Sequence, residues 1–153
     1  MNEIILTKEE CNLVIVVGSR RELNNILGGN NLDKSPPQNN NRDGFKQHIY
    51  GAFAECAVAK FFGQYWSGVV DNPFSTRPDV GIDIEVRWAN DGYAIKKRDK
   101  PNCRMVFVGG EIPNFIIKGW VNTSDVIHLA QNENGWSYIQ QQFIRDISEF
   151  EAA

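Results

Sequence analysis

The chain has 153 residues, 42% hydrophobic and 23% charged, with a formal net charge of -3. That composition suits one folded domain with a substantial core, and it argues against a protein that coats nucleic acid through bulk positive charge. No apolar run is long enough to span a bilayer, and the first residues, MNEIILTKEE, carry acids where a signal peptide carries cations, so a cytoplasmic location is expected.

In chain order, Thr7 and Glu10 have the spacing of a capping box. It opens a helix carrying Leu13, Val14, Val17, Leu23, Ile26 and Leu27 and stopping at Gly28 and Gly29. Residues 29 to 45 hold five Asn and a Pro-Pro pair, a composition that predicts a flexible loop. Residues 49 to 63, IYGAFAECAVAKFFG, read as a helix closed by Gly63. Trp66 to Val70 is expected as a strand, followed by Pro78 to Trp88, then GYAIKK and the apolar RMVFVGG. FIIKGWVN is another strand candidate, with a bulge at Gly119 and a packed Trp120. Ser124 and Asp125 turn the chain into a strand VIHLA, with His128 as a packing residue. The stretch from Trp136 to Phe150 begins as a short strand and ends as a helix. The order predicts an α/β domain with a central mixed sheet flanked by helices.

Cys11, Cys56 and Cys103 are odd in number and widely spaced, so they read as reduced thiols. The two histidines, His48 and His128, support neither a histidine-rich metal site nor a Ser-His-Asp triad.

Chemistry concentrates in PDVGIDIEVRW, residues 78 to 88. Strand alternation turns Ile82, Ile84, Val86 and Trp88 to the core and Asp83, Glu85 and Arg87 to the other face. A turn after Pro78 swings Asp79 toward Glu85. Magnesium takes hard oxygen ligands, commonly one or two carboxylates with water and phosphate; Asp79, Glu85 and the Val86 main-chain carbonyl make such a set. Arg87, two residues on, offsets charge developing at phosphorus. Glu55 stands on the Ala-rich helix with Gly51, Ala59 and Phe62 on its face, where a carboxylate needs a partner cation or a metal. The plainer readings make Asp79 a turn former, Glu85 and Arg87 a solvated strand face, and Glu55 a helix-edge residue paired with a lysine.

The order Pro-Asp, a short apolar gap and Glu-x-Arg resembles the signature of the PD-(D/E)XK nuclease superfamily, with Arg87 where that family usually has Lys. From Gly51 through Asp125, roughly half the chain, the GAxxExAVA helix, the Glu-Val-Arg strand, the apolar strand and the Gly119-Trp120 turn resemble small bacteriophage and prophage domains of that superfamily. The resemblance implies a restriction-endonuclease-like core and a magnesium ion, replaceable by manganese, on Asp79, Glu85 and Glu55. It also implies hydrolysis of DNA phosphodiester bonds by metal-activated water, in a host cytoplasm if phage-encoded. Arg87 stays protonated and cannot serve as a general base. The run KKRDKPNCR supplies Lys96, Lys97, Arg98, Lys100 and Arg104 for phosphate contacts, DNA being favoured over RNA. The alternative is a catalytically degraded nuclease fold that binds DNA or a host protein. A homodimer would suit cleavage of both strands.

Overall fold

The computed structural model describes residues 2–27, 44–70, 78–132 and 135–150. Most of the loop expected at 29 to 45 lies outside them, and Gly44 already belongs to a helix.

A short strand β1 (Glu3–Ile5) leads into helix α1 (Lys8–Leu27), and helix α2 (Gly44–Phe61) follows. Then come β2 (Ile84–Trp88), β3 (Tyr93–Ile95), β4 (Arg104–Glu111), β5 (Asn114–Asn122), a one-turn helix α3 (Thr123–Val126) and β6 (Ser137–Ile139). The main sheet has the order β1-β5-β4-β2. In it β2 runs parallel to β4, while β5 is antiparallel to both β4 and β1. A separate antiparallel pair joins β3 to β6. The protein is therefore mixed α/β, with a mixed-orientation four-stranded sheet flanked by helices.

The capping box forms as spaced: the Thr7 N–H donates to Glu10 Oε1 at 2.8 Å and the Glu10 N–H to Thr7 Oγ1 at 3.1 Å. Helix α2 is closed at Gly63, whose N–H donates to the Lys60 carbonyl while that of Gln64 donates to the Ala59 carbonyl, a Schellman pattern. It is apolar nearly all round because it is covered on two sides. Ala52, Phe53, Ala57 and Val58 are buried together with Val106, Val108, Phe115 and Ile117 of the sheet, and Val14 of α1 joins the same core. On the sheet's other face, Met105, Phe107 and Val121 pack with Ile95, Ile139 and Val126.

Several expectations are corrected. Trp66 to Val70 carries no strand; Gly68 takes φ +56, which breaks an extended run, and Arg21 Nε donates to the Val69 carbonyl at 3.0 Å. The strand expected from Pro78 begins only at Ile84, because residues 81–83 form a turn, and Ile82 is 77% exposed rather than in the core. VIHLA is not a strand. Asn122 caps a helical turn through Ser124 N–H, and Ile127–Leu129 continues it as 3-10 helix, leaving His128 exposed. The expected C-terminal helix is replaced by 3-10 turns at Gln141–Phe143 and Ile147–Glu149, between which Arg145 pairs with Trp120. Strand β1 carries too few residues to show a period. The three cysteines are free thiols.

The bulge falls where β4 and β5 shift register between Phe107 and Val108, beside Gly119. Gly119 has φ +144, and a Cβ there would meet the Ile144 side chain and sit 2.7 Å from the Arg145 carbonyl oxygen. Trp120 is buried and donates from Nε1 to the Asp146 carbonyl.

Candidate functional site

The Pro-Asp segment folds back on the strand that follows it. Val80 and Ile84 exchange backbone hydrogen bonds of 3.1 and 3.2 Å around the turn at 81–83, where Gly81 takes φ +61. That reversal lays Asp79 beside β2, and its Oδ2 accepts the Val86 N–H at 2.8 Å. β2 is the outermost strand of its sheet, so this N–H would otherwise face open edge. The N–H and C=O of one strand residue point the same way, so the Val86 carbonyl faces the Asp79 side too.

Glu85 alternates to the face it shares with Met105 and Arg87, and Asp79 at the edge reaches its carboxyl in a side-chain hydrogen bond. Burial pushes the Asp79 carboxyl well above its ordinary value, and the charges of Glu55 and Glu85 push it further; the Val86 N–H opposes them. Asp79 and Glu85 thus form a self-repelling acid pair, with Glu55 near enough to be felt.

Glu55 has its own partner. Arg21 of α1 grips it in a fork, Nη1 to Oε2 at 2.6 Å and Nη2 to Oε1 at 3.0 Å, and Trp66 Nε1 adds a donor at 3.3 Å. The side chains are only 21% and 13% exposed. Burial lowers the Arg21 pKa, but Glu55 and then Asp79 outweigh it and raise it. Arg21 was not among the expected site residues. Its signal was there: it continues the buried stripe of Val14, Val17 and Gly18 at helical spacing, the same anomaly that Glu55 shows on α2.

A cleft of about 330 Å³ opens beside the acid pair, lined by Asp79, Glu85, Val86 and Arg87 on one side and by Lys96, Arg98, Asp99 and Lys100 on the other. The Lys100 Nζ lies 2.8 Å from Glu85 Oε1. Arg87 is clamped by Asp99 through two 2.8 Å bonds, donates to the Ala94 carbonyl and packs on the Trp136 ring, as does Lys96. Asp99 also accepts the Lys96 N–H, so the Arg87 fork ties the basic loop to the site strand. Of the five cations expected at a phosphate surface, Lys96, Arg98 and Lys100 line the cleft and Lys97 and Arg104 do not. Arg104 pairs with Asp83 at 2.6 Å and stacks on Phe150. His48, in the first turns of α2, reaches Glu22 of α1 at 2.5 Å.

Comparison with protein-family models, curated proteins and solved structures finds no match to this chain.

Among the described residues, no group of three His, Cys, Asp or Glu side chains is arranged to hold a metal ion. The donor chemistry of the smaller set does fit magnesium, which uses one or two carboxylates and completes its shell with water and phosphate. Asp79 and Glu85 are two hard carboxyls whose mutual repulsion a divalent cation would relieve, with the Val86 carbonyl turned to the same edge.

Proposed function

We propose that this protein is a magnesium-dependent nuclease of the PD-(D/E)XK type, with a restriction-endonuclease-like core, that hydrolyses DNA phosphodiester bonds at the cleft beside β2. The observation that carries the reading is the placement of the half-buried Asp79 on the edge of β2, bonded to the Val86 N–H and lining one cleft with Glu85; desolvation and the charges of Glu55 and Glu85 raise its pKa. Perturbed acids in a cleft are a mark of functional sites. Four cations on the same cleft, Arg87, Lys96, Arg98 and Lys100, supply the complement that a phosphodiester needs.

Magnesium, or manganese in its place, would be held by Asp79 and Glu85 with the Val86 carbonyl, and would supply Lewis acidity toward water and the phosphate. The chain's own groups divide the remaining work. Lys100, anchored on Glu85, and Arg98 at the cleft wall bind and orient phosphate oxygens. Arg87 contributes fixed positive charge and holds the loop bearing those cations through Asp99. Arg21 holds Glu55 oriented behind Asp79 through its two-pronged fork.

The test is cleavage of supercoiled plasmid and labelled single strands with magnesium, manganese or chelator. Wild type should cut with metal alone, and Asp79→Ala and Glu85→Ala should each lose at least about 100-fold in rate. Equal cleavage by wild type and both variants would sink the assignment.

One observation favours a second reading, a scaffold that binds DNA or a host protein without cutting. Three acids in or near the cleft already have cationic partners: Arg21 on Glu55, Lys100 on Glu85 and Arg87 on Asp99. That reading predicts salt-sensitive DNA binding retained in Asp79→Ala and no cleavage with any divalent metal.

A further inference from the structure

α1 buries only one of its faces. Val14, Val17 and Gly18 point inward, while the opposite side carries Leu13, Val16, Leu23 and Leu27, which are between 47 and 74% exposed. Together with Glu9 and Arg20 these residues recur at alternating steps of four and three, the heptad seam of a helix that pairs with another helix. Ile15 and Ile26 widen the apolar surface on one flank. A stripe of this size on a surface helix marks an interaction site.

The charges identify the partner. Leu13 and Val16 share a midpoint with Glu9 and Arg20, so a two-fold axis crossing α1 between Leu13 and Val16 makes these four positions complementary to themselves, while Leu23 and Leu27 extend past the start of the partner's α1. In an antiparallel pair of α1 helices, Leu13 of one copy meets Val16 of the other, and Glu9 meets Arg20 at both ends of the contact. Such reciprocity is what an isologous interface requires. Among the described residues, Glu9 and Arg20 make no ion pair within their own chain.

We propose that the outer face of α1 is a homodimer interface, packed antiparallel on α1 of a second copy and fixed in register by two Glu9–Arg20 pairs. The proposal does not depend on the nuclease reading. It also has a geometric consequence for the cleft: Arg21, one residue past the seam, points inward to Glu55, so the interface lies directly behind the acid cluster.

Sedimentation of the full chain across the micromolar range tests this, with circular dichroism confirming that each variant is folded. Glu9 and Arg20 are exposed, so their exchange leaves the core intact. Wild type should form a dimer. Glu9→Arg and Arg20→Glu should each weaken it about tenfold by setting like charges opposite one another twice, and the double exchange should restore it. Leu13→Asp should give a folded monomer. A wild type that stays monomeric, because another segment or a different protein covers the stripe, would overturn the proposal. So would a double exchange no tighter than the singles.

Discussion

Asp79 and Arg21 set the behaviour of the acid cluster residue by residue. The Asp79 carboxyl has a higher pKa in the fold than its ordinary 3.8. The stability it brings is therefore complete below that value and is lost as pH rises through the raised one. Asparagine keeps an oxygen for the Val86 N–H and removes the charge. Asp79→Asn should accordingly be more stable than wild type near neutrality, by about 1 kcal/mol or more, with the difference closing as pH falls toward 4. Urea midpoints across pH check this; parallel profiles would refute the repulsion argument. Magnesium should raise the melting temperature of wild type and leave that of the variant unchanged. Arg21→Ala strands Glu55 in a largely buried position, and a loss of about 3 kcal/mol is expected from denaturant unfolding. Arg21→Lys should recover only part of it, because the contact is a two-pronged fork.

At the scale of elements, the β4–β5 hairpin carries the sheet, and its weak point is the bulge at Gly119. A side chain there would take a strained φ and press on the Ile144 side chain and the Arg145 carbonyl, where the C-terminal segment crosses. Gly119→Ala should cost about 2–4 kcal/mol, read as a lower urea midpoint at unchanged slope. The loop between β3 and β4 is held differently, by polar contacts: a knot of Arg87, Asp99 and the Lys96 N–H at its start, Lys100 on Glu85, and Asn102 and Cys103 on Ser124 and Thr123. Asp99→Asn should loosen the basic loop and weaken DNA binding, and should cost about 1–3 kcal/mol because the largely buried Arg87 loses its charged partner.

For the whole molecule, the charge balance is negative but unevenly spread, with Lys96, Arg98 and Lys100 gathered on one cleft. Affinity for duplex DNA should fall steeply with salt despite the net charge. Replacing Arg98 and Lys100 with Gln should reduce the slope of log affinity against log salt by about 2, one unit for each phosphate that is no longer neutralised. Lys97→Gln, away from the cleft, should leave that slope unchanged, and equal effects from both replacements would show that the cleft is not the binding surface. Among the described residues no helix is long and apolar enough to cross a membrane.

Local chemistry made much of this legible from the sequence. The Thr7–Glu10 capping box, the Gly63 cap and the apolar run of β4 each depend on residues within a few positions of one another, and the bulge beside Gly119 was marked by a glycine inside an apolar strand pattern. The approach of Asp79 to Glu85 was legible for the same reason, since one tight turn joins them. Alternation failed at Ile82 because that turn interrupts the strand, and VIHLA became helical because Asn122 caps it, a local preference overriding β-branched residues. Contacts between distant residues were decided only by the tertiary structure: Arg21 on Glu55 across two helices, Asp99 rather than the acids of the site holding Arg87, and Lys100 on Glu85. A sequence shows that a buried charge needs a partner, because desolvation demands one wherever the chain goes. Which partner it finds depends on how the helices and loops pack, and that is written in no single stretch of the chain.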